Sequence, residues 1–273
     1  MSTPGERLSS AIRSTREKRV ALVAFMTAGF PTRQQFRADL RVIAAHADVV
    51  EIGVPFTDPM ADGVTIQRSS LAALKQGVSL HWILDELAAI PPMATPLVLM
   101  SYLNPLLAFG LPQLAARAAA VGVTGFIVPD LPLEESADFQ AALDVHGIAL
   151  IRMVTPVTPP ARLEKLCRNS RGFVYAVTMT GTTGKTMSPT TGTGASGGLA
   201  GAGLAGEVTD YLDRVRALSP VPVCAGFGIR EAAQVGLLAP HVDGVIVGSA
   251  LVEALERGAS PAALLDSLRG GAA

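Results

Sequence analysis

The sequence predicts an α/β protein, a (β/α)8 TIM barrel with an extra N-terminal helix. Eight short apolar runs rich in β-branched residues alternate with longer segments of helical spacing, a pattern typical of a parallel sheet covered on both faces. Eight such units favour a closed barrel over an open doubly wound sheet, which usually has fewer strands. The length of 273 residues suits one barrel and no linker divides the chain, so we expect residues 1–273 to form a single TIM-barrel domain.

The eight predicted strands are all short. Polar residues at the carboxyl ends of such strands are the first candidates for function, because a parallel barrel builds its active site on that face. In chain order the predicted strands are Val20–Phe25, Val49–Ile52, Leu97–Met100, Gly125–Val128, Ile148–Met153, Phe173–Val177, Val221–Cys224 and Gly244–Val247.

The segments between these runs carry helix signals. Leu114–Val121 and Phe139–His146 have apolar residues at helical spacing, and Gly147 is a candidate C-cap for the second. Ser249–Arg257 has an apolar face and begins with a candidate serine cap. A further helix is predicted around Glu6–Glu17, where it would cover the bottom of the barrel.

Composition excludes several classes of protein. The net charge is -1, with 22 basic and 23 acidic residues, so the basic patch expected of a nucleic-acid-binding protein is missing. No uncharged apolar run reaches the roughly 18 residues that a membrane span needs, and the N-terminal stretch lacks the apolar core of a secretory signal. We expect a cytoplasmic protein with two reduced, buried thiols, Cys167 and Cys224. The four histidines share no metal-ligand spacing, so no metal site is expected.

Glu51 is the first candidate for chemistry. It interrupts the otherwise apolar second strand, and a buried carboxylate is costly unless it is paired or has a raised pKa. One interpretation is an ion pair with a neighbouring barrel residue. We favour the other, a catalytic acid.

The turn after this strand contains two more carboxylates, Asp58 and Asp62. Aspartate before proline and aspartate before glycine are both ordinary turn residues. Their position just after Glu51 raises the alternative that one of them completes a carboxylate pair with it, since two carboxylates in different environments can divide acid and base duties.

Glycines recur where a barrel of this kind binds phosphate. Gly226 and Gly228 follow the seventh predicted strand, and Gly248 and Ser249 follow the eighth at a helix start. The loops after strands 7 and 8, together with a short helix N-terminus, form the common phosphate cradle of TIM barrels, because backbone N–H groups and the helix dipole favour a dianion.

One stretch departs from the alternation of strands and helices. Between Thr178 and Gly206 the chain is dominated by Gly, Thr, Ser and Ala, which favours a mobile loop. It follows the sixth strand, on the face where the active site is expected, and we expect poor order from Lys185 to Ala205 in the absence of ligand. Only two residues separate Gly181 from Gly184, whereas a P-loop needs four, so we exclude a nucleotide site here.

The motifs resemble one known family. Residues 51–59, EIGVPFTDP, continued by residues 61–63, ADG, resemble the signature of the tryptophan synthase alpha subunit. Further matches extend the resemblance over nearly the whole chain. They are Phe25 with Thr27-Ala28-Gly29, Tyr102-Leu103-Asn104-Pro105 with Gly110, Asp130-Leu131-Pro132 with Glu134-Glu135, Tyr175, Gly226-Phe227-Gly228-Ile229 and Gly248-Ser249.

The resemblance implies a reaction and a set of site residues. The family cleaves indole-3-glycerol phosphate to indole and glyceraldehyde 3-phosphate without metal or organic cofactor. By similarity Glu51 is the general acid–base group, Asp62 stabilises charge on the indole N–H, and Tyr175 lies at the site. The residues implied to bind substrate are Phe25, Tyr102 and Phe227 around the indole, with Thr183, Gly184, Gly228, Gly248 and Ser249 at the phosphate.

The resemblance also implies a partner. The family's alpha subunit binds a pyridoxal-phosphate-dependent beta subunit in an alpha2beta2 tetramer, and the positions used there correspond to Pro55, Asp58, Asn104 and Pro132. The loop after the sixth strand departs from the family's usual Gly-Val-Thr-Gly pattern, which puts communication with the partner in question. Two alternatives stay open: a free-standing lyase that releases indole, and a non-catalytic paralogue, against which the retention of Glu51 and Asp62 counts.

Overall fold

The computed structural model describes residues 2–178, 206–226 and 228–270. Its centre is a closed barrel of eight parallel strands in the order β1 to β8, with β8 pairing back onto β1. This confirms the predicted (β/α)8 barrel. The strands are β1 Ala21–Thr27, β2 Val49–Gly53, β3 Leu97–Met100, β4 Val123–Ile127, β5 Ala149–Val154, β6 Val174–Val177, β7 Val223–Gly226 and β8 Gly244–Val247.

Helices surround the barrel. Those in the described part of the chain are α1 Pro4–Arg16, α2 Phe36–His46, α3 Val64–Lys75, α4 Leu80–Ala88, α5 Leu103–Phe109, α6 Leu111–Ala120, α7 Ala137–Asp144, α8 Pro160–Asn169, α9 Gly206–Leu218, α10 Ala232–Leu238, α11 Ser249–Glu256 and α12 Pro261–Leu268. A short 3-10 turn, Leu133–Glu135, precedes α7. Among the described residues, no helix has the length and apolar character that a membrane span requires.

Helix α1 covers the N-terminal end of the barrel, as predicted. Its side chains Leu8 and Ile12 are fully buried and pack with the inward-facing strand residues. Polar contacts fix the helix to the loops at this end, since Gly5 N donates to Gly147 O at 2.8 Å and Ser9 Oγ donates to Gly172 O at 2.6 Å. The bottom of the barrel is thereby closed, and its interior can open only toward the carboxyl ends of the strands.

The predicted ends of β3 and β8 match the structure, whereas the other six predicted strands differ from it by one or two residues at one or both ends and the predicted helices by up to three residues. Strand β7 begins at Val223, because Val221 belongs to a turn in which its N–H donates to Ser219 Oγ at 3.2 Å and Pro222 has no N–H to donate. The serine cap predicted for α11 is wrong by one position. Gly248 is the N-cap and Ser249 is the first helical residue.

Both cysteines are free and buried, as predicted. Cys167 lies in the helix–sheet layer and Cys224 among the inward-facing residues of the barrel. Burial raises the pKa of the Cys167 thiol to about 11. Neither is poised as a thiolate nucleophile.

Candidate active site

Glu51 lies in the barrel interior near the open end. Its neighbours in the sheet are Phe25 on β1 and Val98 on β3. Val49, two residues earlier, belongs to the inward-facing cluster, and strand periodicity places Glu51 on the same side. The side chain is buried, with 1% of the residue exposed.

The environment of Glu51 favours its protonated form. Burial, reinforced by the nearby Asp62 carboxylate, raises the Glu51 pKa to about 8. Its Oε2 atom has no hydrogen-bond partner, and no salt bridge among the described residues includes it. The ion-pair interpretation of this glutamate is therefore wrong. A protonated carboxyl can donate its proton to a substrate that lies against it.

Asp62 is the second carboxylate of the site. It follows a tight turn in which its N–H donates to Pro59 O at 3.1 Å, and 9% of the residue is exposed. Burial raises its pKa to about 7, while a hydrogen bond with the Tyr102 hydroxyl opposes that shift. Both carboxyls therefore have raised pKa values, and the hydrogen bond with Tyr102 favours the ionised form of Asp62.

Tyr102 holds the loop that carries Asp62. Its hydroxyl accepts a hydrogen bond from Ala61 N at 2.8 Å and lies against the Asp62 carboxylate. Its ring stacks on Phe56, with ring centroids 5.2 Å apart. Tyr102, which is buried in the loop after β3, therefore holds the loop after β2 in place.

Asp58 has a different role from Asp62. It is exposed, accepts a hydrogen bond from Thr57 Oγ1, and through its carbonyl accepts one from Met60 N at 2.9 Å. Asp58 is therefore a turn residue, whereas Asp62 is the carboxylate that pairs with Glu51.

Tyr175 enters the site from β6, opposite Glu51. Its sheet neighbours are Met153 on β5 and Cys224 on β7. Burial, together with the nearby carboxylates of Glu51 and Asp62, raises its pKa well above the ordinary value. Tyr175 is therefore a neutral phenol beside the two carboxyls.

Two glycines make room for aromatic side chains, which the sequence did not reveal. A Cβ atom on Gly226 would lie 2.5 Å from the Tyr175 hydroxyl, and one on Gly53 would lie 2.5 Å from Cζ of Phe25. Gly226 was predicted as part of the phosphate cradle, but glycine is required at this position because Tyr175 packs against it. No local signal marks either requirement, because each contact joins residues on two different strands.

The predicted phosphate residues lie on two adjacent loops. Gly228 is exposed and has φ +82°, in the left-handed region that favours glycine. Gly248 and Ser249 are half-buried at the start of the eight-residue helix α11. A Cβ on Gly248 would lie 3.8 Å from Cβ of Phe25, which places this end of the site next to the apolar wall. Free N–H groups at a helix start suit a phosphate.

The predicted partner residues differ in exposure. Asp58, Asn104 and Pro132 are exposed, whereas Pro55 is buried. Two exposed apolar residues lie beside them and were not predicted: Met60, 79% exposed, and Leu107, 53% exposed.

Three predicted site residues, Thr183, Gly184 and Phe227, lie outside the described residues, as does the stretch from 185 to 205 for which poor order was predicted. The described part of the chain contains no group of three or more His, Cys, Asp or Glu side chains arranged to hold a metal ion.

Comparison with known proteins decides the family. The model of the family described as tryptophan synthase alpha chain matches residues 12–268. The chain belongs to this family. The tryptophan synthase alpha chain of Solidesulfovibrio magneticus is 42% identical over 254 residues, covering 92% of this chain and 93% of that protein. That of Geobacter sulfurreducens is 43% identical over 241 residues, covering 88% and 86%.

Solved structures agree with the family assignment. Tryptophan synthase from Mycobacterium tuberculosis in space group F222 superposes with a TM-score of 0.84 at 34% identity, covering 99% of this chain and 98% of that one. Tryptophan synthase subunit alpha from Legionella pneumophila superposes with a TM-score of 0.82 at 29% identity, covering 99% and 98%. A tryptophan synthase alpha chain is a carbon–carbon lyase of tryptophan biosynthesis that cleaves indole-3-glycerol phosphate, and its family partners a beta subunit.

Proposed function

We propose that this tryptophan synthase alpha chain cleaves its substrate with Glu51 as the proton donor and acceptor and Asp62 as the stabilising carboxylate. The observation that carries the proposal is the buried Glu51 carboxyl, whose pKa is raised to about 8 beside Asp62. A group with that pKa is protonated at neutral pH and can still ionise during turnover.

The retro-aldol step needs a proton at one atom and the loss of a proton at another. Glu51 donates its proton to the indole ring carbon that carries the glycerol substituent. The bond between that carbon and the glycerol carbon then breaks, and its electron pair restores the aromatic ring. The hydroxyl on the glycerol carbon loses its proton and becomes the aldehyde of glyceraldehyde 3-phosphate. The Glu51 carboxylate takes up this proton and returns to its starting form.

Asp62 supports the same step at the ring nitrogen. Protonation of the ring carbon places positive charge on the indole N–H, and an ionised carboxylate beside it lowers the energy of that intermediate. The Asp62 pKa of about 7 and its hydrogen bond with Tyr102 keep this carboxyl easier to ionise than Glu51. The two carboxyls thus start the reaction in different protonation states.

Aromatic side chains provide the surface for the indole ring. Phe25, Tyr102 and Tyr175 are all buried residues at the open end of the barrel. Apolar walls exclude water from the ring and strengthen the interaction with Asp62.

The phosphate group binds at the loop after β7 and the start of α11. Gly228 and Gly248 present backbone without side chains there, and Ser249 adds a hydroxyl. Because the phosphate is remote from the breaking bond, its binding energy orients the substrate for proton transfer.

The chain acts as the alpha subunit of an alpha2beta2 tetramer with a pyridoxal-phosphate-dependent beta subunit. The exposed Asn104, Asp58 and Pro132, with the exposed apolar Leu107 and Met60, support a docking surface beside the mouth of the barrel. Burial of such apolar side chains by a partner protein stabilises the complex.

The deciding experiment measures indole release from indole-3-glycerol phosphate by the purified chain, alone and with a tryptophan synthase beta subunit. We expect slow unaided cleavage and strong stimulation by the beta subunit. High unaided turnover without stimulation would point to a free-standing lyase, and no cleavage in either case would contradict the proposed catalytic roles.

A further inference from the structure

Two charged side chains connect the loop after β7 to helix α11. Arg230 donates two hydrogen bonds to Glu253, one from Nη1 to Oε2 at 2.7 Å and one from Nη2 to Oε1 at 2.8 Å. Arg230 comes two residues after Gly228, and Glu253 lies one helical turn after Ser249. The ion pair therefore joins the two segments that together form the proposed phosphate cradle.

A third segment joins the same carboxylate. Thr65 Oγ1 donates to Glu253 Oε1 at 3.2 Å. Thr65 is a buried residue in the first turn of α3, three residues after Asp62. Glu253 lies on α11, whose N-terminus is part of the proposed phosphate cradle. It contacts both the loop after β7 and α3, the helix that follows Asp62.

Other contacts also hold the phosphate loop: Ile229, between Gly228 and Arg230, is buried in the hydrophobic core. Gln234 accepts hydrogen bonds from the N–H groups of Arg230 and Glu231 at 2.7 and 3.0 Å, and its Nε2 donates to Gly228 O at 3.2 Å. These contacts close the loop on itself and onto the start of α10. In the part of the chain that the structure describes, the pair with Glu253 is the one polar contact between Arg230 and α11.

We propose that Glu253 is a positioning residue that sets the spacing between the Gly228 loop and the N-terminus of α11, and so the affinity for the substrate phosphate. This deepens the proposed function and rests on its phosphate cradle. Glu253 does not contact the phosphate; it acts through Arg230. Two loops held at the correct spacing bind a dianion more tightly because less ordering is left to occur on binding.

A purely electrostatic role predicts the opposite sign. Glu253 is an anion near the expected position of the phosphate dianion, so removing its charge would strengthen phosphate binding through space. Positioning predicts that removing it weakens binding, because the Gly228 loop loses its tie to α11. The direction of the change therefore separates the two effects.

The test substitution is Glu253→Gln, which keeps the size of the side chain and removes its charge. We expect the KM for indole-3-glycerol phosphate and the inhibition constant of sn-glycerol 3-phosphate to rise about tenfold, the ratio that corresponds to about 1.4 kcal/mol. The kcat should change little, because a group that supports uniform binding acts on KM.

Glu256→Gln is the matched control. Glu256 also lies on α11 and accepts two hydrogen bonds from Arg68 on α3, at 2.9 and 2.5 Å, but it has no hydrogen bond or ion pair with the described residues of the loop after β7. This substitution breaks an ion pair of the same kind on the same helix, but one that joins α11 to α3. It should leave KM and the inhibition constant unchanged.

The exchange of both charges, Arg230→Glu with Glu253→Arg, should restore much of the lost affinity. A KM that is unchanged or lower in Glu253→Gln would overturn the proposal. So would an Arg230→Gln variant that is far worse than Glu253→Gln and is not rescued by the exchange, because Arg230 would then bind the phosphate directly.

Failure of the cradle itself gives a different result. Gly228→Asp and Gly248→Asp place a carboxylate on the two loops. If neither raises KM, the phosphate lies elsewhere and the proposed cradle is wrong. If both raise KM and Glu253→Gln does not, only the positioning role is wrong.

Discussion

The Tyr175 hydroxyl occupies the space that a side chain at position 226 would need. A Cβ atom on Gly226 would lie 2.5 Å from that oxygen and within 2.9 Å of two carbons of the ring. The close approach sets the depth at which the phenol enters the barrel, beside Glu51 and Asp62. Glycine at this position is thus a requirement of the site.

Gly226→Ala should displace Tyr175 and reduce turnover. Forcing a methyl group into this packed interior should also cost about 1–3 kcal/mol of unfolding free energy. Gly236→Ala is the control, because a Cβ there meets no atom within 4 Å. Equal turnover in the two variants, measured as indole release, would show that the Tyr175 position does not matter to catalysis.

Glu51→Gln should retain the fold and substrate affinity but lose cleavage. General acid–base catalysis contributes about 10²- to 10⁴-fold to rate, so kcat should fall by at least that order while the KM stays similar. Glu256→Gln makes the same chemical change at an exposed position and should leave turnover intact. A folded Glu51→Gln variant with more than about a tenth of wild-type turnover would show that Glu51 is not the proton donor.

The pH dependence of stability should report the buried Glu51. Because its folded pKa is raised from 4.5 to about 8, the folded state favours the protonated form. The contribution of Glu51 to the free energy of unfolding is fully present below pH 4.5 and is lost as pH rises through about 8. In total it amounts to at most about 5 kcal/mol.

Denaturant unfolding between pH 4 and 9 measures this contribution. The unfolding free energy of the wild type should decline relative to Glu51→Gln across that window, whatever constant offset the buried amide adds. Parallel curves for the two proteins would mean that Glu51 has an ordinary pKa.

Asp62→Asn should reduce unaided cleavage severely, because the positive ring nitrogen loses its anion. Asp58→Asn should act mainly on stimulation by a beta subunit, since Asp58 is exposed at the proposed interface. The wild-type kcat/KM should fall below about pH 7 as Asp62 is protonated and above about pH 8 as Glu51 ionises. Asp62→Asn should lose the acidic limb of that profile, and equal effects of both substitutions on unaided cleavage would contradict this division of roles.

Gly228→Asp and Gly248→Asp should each raise the KM for indole-3-glycerol phosphate strongly. The new carboxylate repels the phosphate dianion, and at Gly228 the φ of +82° adds backbone strain for any side chain. Steady-state kinetics at two salt concentrations measures the effect, because screening weakens an exposed charge contact. An effect that disappears at high salt identifies repulsion, and one that persists identifies lost space or strain.

The barrel could be predicted from the sequence because its signals are local. Strands β3 and β8 begin and end at the predicted residues, since each is an isolated apolar run between helical segments. The start of β7 could not be predicted in the same way. Val221 is apolar, but its hydrogen bond with Ser219 and the missing N–H of Pro222 keep it out of the strand.

Glu51 could also be identified from the sequence, because a carboxylate inside an apolar strand is costly to bury and demands an explanation. The choice between Asp58 and Asp62 could not be made there, since both stand in turn sequences. The tertiary structure decides it through Tyr102, which lies 41 residues from Ala61 and hydrogen bonds to the loop that carries Asp62. Likewise, glycine is required at position 226 only because β6 pairs with β7 and places Tyr175 against it. Periodicity and burial cost belong to the chain itself, whereas contacts between distant residues arise only when the barrel closes.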